Sequence, residues 1–197
     1  MRGPGHSVPG LTCMIHPVPK PAPVPAAVRP SCVLGTLRDD VLAVYVHERV
    51  LEDILNYSEK DVSRELGGFL IGGFHLDGGP YVEVRHFLAA GDIRSHATSL
   101  TFTHETWAGV NREVDRQFPG ALIVGWQHTH PRLGVFLSGY DLFLHRHFFR
   151  EPWQVALVVD PVRREFGFFQ WCGTDIVGSG FVCVRKSGEA PCDRIGL

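Results

Sequence analysis

The chain has 197 residues, of which 44% are hydrophobic and 11% aromatic, so it can form one domain with a substantial buried core. Its formal net charge is −2, which excludes a chain-wide basic field of the kind that binds nucleic acid or an anionic membrane surface. No apolar run reaches the roughly 18 residues that a membrane span needs. The composition therefore predicts a soluble cytoplasmic protein that binds neither nucleic acid nor membrane.

The first 35 residues are rich in proline, and from Pro17 to Pro25 every second residue is a proline. Each proline fixes φ, removes a backbone donor and biases the preceding residue toward extended geometry. We therefore predict an extended, polyproline-like or disordered arm over residues 1–35. It is either a solvated tail, which we favour, or a peptide that docks into a groove of a partner.

A single domain is predicted over residues 36–185, followed by a C-terminal tail over residues 186–197. Strands are assigned from apolar runs rich in β-branched residues, and helices from apolar residues at helical spacing. The predicted elements are a strand at 41–46, a helix from about 47 to the low sixties, strands at 69–71 and 81–88, a helix capped by Thr103, a strand from 121 toward 130, a helix at about 138–149, and strands near 153–159 and 164–172. Because they show no repeated β–α–β unit, we predict an α+β fold with a mixed, mostly antiparallel sheet flanked by helices.

Two histidines, His128 and His130, lie at the end of the strand predicted from residue 121. Side chains alternate along a strand, so both imidazoles project to the same side and can share one metal ion. A helix that begins at Ser138 would direct Asp141 from its first turn back toward the strand end. Two imidazoles and one carboxylate, with a fourth position open, are typical of a catalytic rather than a structural zinc site.

Ser138 and Asp141 also have a purely structural explanation. A serine at the N-cap and an acidic residue three positions later satisfy the first backbone N–H groups of a helix without any metal. His145, one helical turn after Asp141, either orients that carboxylate or, as we favour, is a packed or solvated helix histidine. Periodicity does not decide between these interpretations, and it does not locate a carboxylate that accepts a proton from water.

The run from His128 to Asp141 resembles the JAMM motif of the MPN (Mov34/PAD-1) metallopeptidases, which reads H-x-H, seven residues, then S-x-x-D. That family also has an upstream glutamate in the context E-x-x-G-x-L-x-G, which the segment from Glu65 to Gly72 matches. The resemblance covers residues from about 40 to 172. It implies a cytidine-deaminase-like core with a central mixed sheet.

The resemblance also implies a function. His128, His130 and Asp141 would hold one catalytic Zn²⁺, Glu65 would serve as general base and then as acid toward the leaving amine, and Ser138 would stabilise the tetrahedral oxyanion. The implied reaction, like that of deubiquitinases, hydrolyses the amide or isopeptide bond after the C-terminal glycine of a ubiquitin-like protein. In bacterial members it can be the release or maturation of a small ubiquitin-like modifier. That protein or its conjugate would be the substrate, with enzymes of the conjugation pathway as further partners.

Four further residues are predicted to contact substrate. In this family an insertion after the second strand often covers the substrate's C-terminal tail as an added strand, and Tyr81, Glu83 and Arg85 alternate within the corresponding segment, 74–99. An ordinary hairpin explains these three equally well. Arg132 stands where the family often has glycine, and it adds a cation beside the mouth of the site.

Two alternative functions stay open. The chain can be an MPN scaffold that pairs with another subunit and has latent activity, although scaffold members usually lack the metal ligands that this chain has. It can also be a zinc peptidase whose substrate is not ubiquitin-like. The sequence indicates no oligomeric state.

Overall fold

A computed structural model describes residues 15–24, 33–92 and 104–185 of the chain. The described elements, in chain order, are β1 (Val18–Pro19), β2 (Val33–Leu34), β3 (Ala43–His47), α1 (Glu48–Ser58), β4 (Gly67–Leu76), β5 (Pro80–Ala89), a 3₁₀ turn (Ala90–Asp92), α2 (His104–Gln117), β6 (Leu122–Thr129), α3 (Gly139–Phe148), β7 (Val155–Asp160), β8 (Glu165–Cys172), β9 (Asp175–Ser179) and β10 (Phe181–Val184). Among the described helices, none combines the length and the apolar character that crossing a membrane requires.

The strands form one mixed sheet in the order β2-β10-β3-β5-β4-β6-β7-β8-β9, and β1 pairs with β4 outside this path. Apolar side chains pack on both faces of the sheet. Ile54 of α1 packs on the same face as Leu70 of β4, whereas Phe69 of β4 faces the opposite side, with Val110 of α2 and Leu144 of α3. Neighbouring residues of β4 thus serve opposite layers, as strand alternation requires. The mixed sheet flanked by helices confirms the predicted fold class.

The sequence predicts only residues 69–71 of β4, because glycines interrupt the apolar pattern of this strand. It predicts β5 to within one residue at each end. One of the β4 glycines, Gly72, lies where a Cβ would come within 1.8 Å of the carbonyl oxygen of Glu83 on β5, so no larger residue fits there. α1 ends at Ser58 rather than in the low sixties, where the sequence becomes polar. The sequence does not predict β9 and β10, because Gly178 and Gly180 break the alternation of apolar residues.

Parts of the predicted N-terminal arm contact the sheet. β1 pairs with β4 in parallel, and β2 pairs with β10 antiparallel. The hydroxyl of Tyr81 lies within hydrogen-bond distance of the carbonyl oxygens of Lys20, at 3.0 Å, and Pro21, at 3.1 Å. These contacts hold residues of the arm in extended geometry. The domain boundaries at residues 35 and 185 stay predictions, and the predicted tail, 186–197, lies outside the described residues.

Four chain segments meet at one end of the sheet. β4 begins there, opposite the end of β6, with Gly67 paired to His128. β7 runs parallel to β6 and ends beside it, at Asp160, and α3 begins nearby after the loop that follows His130. The residues that the sequence predicts as functional therefore come from segments whose ends the sheet brings together.

Candidate metal centre

Three buried donors converge beyond the end of β6. Nε2 of His128 lies 3.1 Å from Nε2 of His130, and each of these nitrogens lies 3.4 Å from a carboxylate oxygen of Asp141. The three residues are between 1% and 4% exposed. A tetrahedral zinc ion with ligands at ~2.0–2.1 Å places its ligand atoms about 3.3 Å apart. The three residues predicted as ligands therefore lie together, at the spacing that one metal ion requires.

The central position of β6 fixes the backbone of both histidines. β6 is paired with β4 on one side and with β7 on the other. Beyond the last paired residue, the backbone N–H of His130 donates to the carbonyl oxygen of Val159 at 2.8 Å. Both imidazoles are on the face of the sheet that carries Trp126, because residues two apart on a strand share a face. The two histidines are thus built on a strand that is held from both sides.

Aromatic rings pack against both imidazoles. The ring of Trp126 stacks on His128 with centroids 4.5 Å apart and an interplanar angle of 11°, and the ring of Phe136 lies 4.7 Å from that of His130. Nδ1 of each histidine is buried and has no hydrogen-bond partner among the described residues. A neutral imidazole with its proton on Nδ1 presents the lone pair of Nε2, which is the atom that each ring directs at the cluster.

Asp141 is placed for both of the roles that the sequence leaves open, helix cap and metal ligand. The Ser138 backbone N–H donates to Oδ2 of Asp141 at 2.7 Å, and the Asp141 N–H donates to Oγ of Ser138 at 3.2 Å, which completes a capping box at the start of α3. A carboxylate offers about four lone-pair sites, so one capping bond leaves room for a metal. The capping box therefore holds the carboxylate in place while the same oxygens face the histidines.

The cluster favours positive charge between the carboxylate and the imidazoles. Burial raises the pKa of Asp141, but its interactions with His128 and His130, and the hydrogen bond from Ser138, outweigh burial and hold this pKa well below its usual range. Burial lowers the pKa of His130, but Asp141 and then Glu65 outweigh it, so this pKa is raised. Both shifts have one cause, which is the pairing of the Asp141 carboxylate with the imidazoles at a buried point.

Glu65 lies beside the three donors and not among them. Its Oε1 is 3.9 Å from Nε2 of His130, and its side chain is 54% exposed, unlike the three buried donors. Two hydrogen bonds hold the chain next to it. Thr129 accepts the N–H of Leu66 on Oγ1 at 2.8 Å and donates its own N–H to the Leu66 carbonyl oxygen at 2.8 Å. Thr129 is not among the residues predicted from the sequence, although its place between the two histidines indicates that it points to the opposite face.

His145 is a fully buried helix histidine that is linked to the cluster indirectly. Its Nδ1 accepts the indole N–H of Trp126 at 3.1 Å, and the Trp126 ring stacks on His128. Burial, with a smaller contribution from Arg146, lowers the pKa of His145 to about 4. The packed interpretation therefore describes His145, and its connection runs through Trp126 to His128 rather than to Asp141.

The added-strand interpretation requires a free sheet edge at Tyr81 and Glu83, and the structure has none at these residues. β5 is paired with β3 on one side and with β4 on the other, and both residues are 2% exposed. The added-strand interpretation is therefore wrong for these residues, because a central strand has no free backbone groups to offer. Arg85 belongs to the same paired strand and is partly buried. Residues 93–103, which include the end of the predicted insertion, lie outside the described residues.

Arg132, in contrast, lies at the mouth of the cluster. It is exposed, and its Nη1 is 3.5 Å from the carbonyl oxygen of Val62, in the loop that leads to Glu65. Its backbone φ of 68° is in the left-handed region, which favours glycine. The guanidinium thus spans the two loops that border the donors.

Comparison with known proteins places this geometry in a family. A family model described as "JAB1/Mov34/MPN/PAD-1 ubiquitin protease" matches residues 39–151. NAD(+) hydrolase TcpA of Theionarchaea archaeon is 29% identical over 126 residues, which are 64% of this chain and 36% of that protein. The rat STAM-binding protein (Rattus norvegicus) is 42% identical over 76 residues, 38% of this chain and 18% of that protein. COP9 signalosome complex subunit 5 of Caenorhabditis elegans is 49% identical over 43 residues, 21% of this chain and 11% of that protein.

A solved structure shares the fold. The solution structure of protein DSY2949 from Desulfitobacterium hafniense aligns with a TM-score of 0.51 at 17% identity, over 73% of this chain and 92% of that chain. At this identity the likeness concerns the fold alone. This chain spans between 11% and 36% of the lengths of the three relatives. The family model covers more than half of the chain, which confirms the resemblance carried by the two motifs: the chain belongs to the JAB1/Mov34/MPN/PAD-1 family.

Proposed function

We propose that this protein is a zinc-dependent peptidase that hydrolyses the amide or isopeptide bond after the C-terminal glycine of a ubiquitin-like protein, in deconjugation or maturation. The observation that carries the proposal is the convergence of His128, His130 and Asp141, with donor atoms 3.1 to 3.4 Å apart, beside the exposed Glu65. Membership of a family described as ubiquitin proteases supports the reaction class. The choice of a ubiquitin-like substrate and of zinc belongs to the proposal.

Zinc suits this donor set, because two imidazole nitrogens and a carboxylate are ligands that it accepts at tetrahedral spacing. His128, His130 and Asp141 would hold the ion. Bound zinc would supply Lewis acidity toward the scissile carbonyl and make water more acidic. The buried position of all three ligands favours this chemistry, because electrostatic interactions are stronger where water is excluded.

Glu65 moves the proton in the proposed reaction. Its exposed carboxylate takes a proton from the attacking water, whose oxygen forms the new bond to the carbonyl carbon. The C–N bond then breaks, and Glu65 returns the proton to the leaving amine. Ser138 accepts the Asp141 N–H on its hydroxyl oxygen, so its own proton can be donated to the substrate oxygen as negative charge develops there.

The test is cleavage of a fusion in which a ubiquitin-like protein ends in glycine before a reporter. Zinc-loaded wild-type protein should release the reporter after the glycine, as mass spectrometry shows. Glu65→Gln should retain zinc and lose turnover by roughly 10²–10⁴-fold, since it removes the general base. Glu59→Gln, at another exposed glutamate, is the matched control and should keep full activity. Zinc-loaded protein that binds such fusions and cleaves none of them contradicts the proposal.

The same assay separates the two alternatives. Cleavage of unrelated peptides with no preference for a glycine-ended tail would assign a zinc peptidase with another substrate. Binding of a partner subunit without cleavage would assign a scaffold. We also propose that the protein acts in the cytoplasm, in a ubiquitin-like conjugation system of the bacterial type, and that the enzymes of this system are further partners.

A further inference from the structure

The loop between His130 and Ser138 is bound to a buried carboxylate on another strand. Asp160 is the last residue of β7, and its side chain is fully buried. Its Oδ1 accepts the backbone N–H of Arg132 at 3.0 Å, and its Oδ2 accepts that of Gly134 at 2.9 Å. The two oxygens of one carboxylate thus bind two positions of a loop that follows a different strand.

The same carboxylate also holds the turn that follows β7. Oδ1 accepts the N–H groups of Val162, at 3.0 Å, and Arg163, at 3.1 Å. Burial raises the pKa of Asp160, but the four backbone N–H donors outweigh burial and hold this pKa below its ordinary value. The guanidinium of Arg163 is more distant, with Nε 3.8 Å from Oδ2, and its side chain is 52% exposed. Backbone groups are therefore the main partners of this buried charge.

The loop needs such an anchor because its backbone is unusual. Arg132 and Gly134 both have left-handed φ angles, of 68° and 90°, and no regular element spans residues 131–138. A residue other than glycine in this region costs roughly 1–2 kcal/mol, so surrounding contacts must enforce it. The loop leads directly to Ser138 and to the helix that carries Asp141. Its path therefore sets the distance between Asp141 and the two histidines.

We infer that Asp160 is a positioning residue of the metal centre: by binding the N–H groups of Arg132 and Gly134, it holds the loop so that Asp141 stays beside His128 and His130. Asp160 acts through the backbone, since its recorded bonds go to main-chain groups and not to the three donors. Its consequence for turnover rests on the proposed function. Its consequence for metal affinity does not, because affinity is measured without substrate.

Asp160→Asn is the sharpest test, because the amide has nearly the shape of the carboxylate. One oxygen becomes an NH₂ group, so either Gly134 or the donors at Oδ1 face a second donor instead of an acceptor. Competition with a chromophoric chelator should show zinc affinity reduced by about 10–100-fold, the usual effect of losing a group that supports metal ligands. With zinc saturating, kcat should fall while KM changes little.

Two control variants separate positioning from a general loss of stability. Arg163→Ala removes the nearby guanidinium and keeps all four backbone bonds, so zinc affinity should stay within about twofold of the wild type, as expected where no supporting hydrogen bond is lost. Val50→Ala truncates a buried apolar side chain of α1 in the hydrophobic core. It should destabilise the fold without weakening zinc binding. Unchanged zinc affinity in folded Asp160→Asn overturns the inference, and so does an equal loss in Val50→Ala.

If Asp160→Asn does not fold, hydrogen exchange in the wild-type protein decides the question. The amides of Arg132 and Gly134 should exchange as slowly as the paired amides at the end of β6, since they are bonded to a buried acceptor. Exchange of these two amides at the rate of an unbonded loop would overturn the inference. Neither this measurement nor the zinc titration depends on a peptide substrate, so failure of the proposed function is distinguishable from failure of this inference.

Discussion

Among the described residues, two buried carboxylates lie beside histidines, one within the sheet and one at its end. Glu83 lies in the central part of β5, with His47 Nε2 at 2.8 Å and His75 Nε2 at 3.5 Å from its oxygens. Lys20, from the arm, completes this group with an ion pair. The charge of Glu83 is thus balanced by a cation of the chain itself, and the group joins the arm to the sheet.

Asp141 is different because, within the described residues, no lysine or arginine pairs with it. Its two histidines direct Nε2 at its oxygens from 3.4 Å each, and at one another from 3.1 Å. Similar residue types therefore serve different ends. Where the chain supplies a cation, the group is an internal ion pair. Where it supplies only electron-pair donors, the group is suited to a cation from outside.

The largest expected effect comes from removing one histidine in each region. His128→Ala should lose the metal and reduce turnover by about a thousandfold or more, since a bound metal ion supplies several kcal/mol of transition-state stabilisation. His47→Ala, beside Glu83, should keep both zinc and activity. Elemental analysis of zinc content and the reporter-release assay measure the two outcomes. Equal loss of zinc in both variants would break the distinction between the regions.

The sequence predicted the Asp141 region better than the Glu83 region, for a physical reason. His128, His130, Ser138 and Asp141 lie within one short segment, so strand alternation and helix capping predict their approach, and the family pattern adds Glu65. Distant pairing cannot be predicted in this way. Lys20 and Glu83 are 63 residues apart and meet only because the arm docks on the sheet.

The same limit explains why the added-strand interpretation of Tyr81 and Glu83, one of two that the sequence left open, is wrong. A polar residue such as Glu83 between apolar neighbours looks like the solvent-facing side of an edge strand. Alternation gives the faces of a strand, but it does not give the number of strands that pair with it. Asp160 was missed for a related reason, because a carboxylate that binds backbone N–H groups of a remote loop carries no local spacing signal.

Zinc should stabilise the fold through the Asp141 region alone. At free zinc about 100–1,000 times the dissociation constant, the free energy of unfolding should rise by about 3–4 kcal/mol. Urea denaturation with zinc and with a chelator measures this increment. Asp141→Asn should lose most of this zinc-dependent increase. Glu83→Gln should keep the increase in full, although its free energy of unfolding without zinc should be lower than that of the wild type. A smaller zinc increment in Glu83→Gln would show that the two regions are coupled.

Acid should weaken the Glu83 region in a defined pH window. Burial raises the pKa of Glu83, but His47 and Lys20 outweigh it and lower this pKa from 4.5 to about 2. The contribution of ionised Glu83 to the free energy of unfolding is therefore fully present above about pH 4.5, and it is lost as the pH falls toward 2. A shift of this size corresponds to about 3 kcal/mol. Denaturation of wild type and Glu83→Gln across this window, both with chelator, should converge as the pH falls; a constant difference would exclude Glu83 as the titrating group.

The smallest expected effect concerns the backbone at the mouth of the metal centre. Arg132→Gly relieves a left-handed residue, which favours the folded state by roughly 1–2 kcal/mol, and it increases the freedom of the unfolded chain, which costs about 0.4–1 kcal/mol. The free energy of unfolding should therefore rise by about 0.5–1 kcal/mol, since the backbone bond to Asp160 stays in place.

Arg164 is the matched comparison, because its φ of 59° lies in the same region. Arg164→Gly should stabilise the protein by a similar amount in urea denaturation. Of these two variants, Arg132→Gly alone should also change KM for the glycine-ended fusion. The Arg132 guanidinium contacts the Val62 carbonyl oxygen, in the loop that precedes Glu65. If Arg132→Gly destabilises the protein while Arg164→Gly stabilises it, the contact with Val62 outweighs the backbone strain, and the two loops at the mouth are held together by the Arg132 side chain.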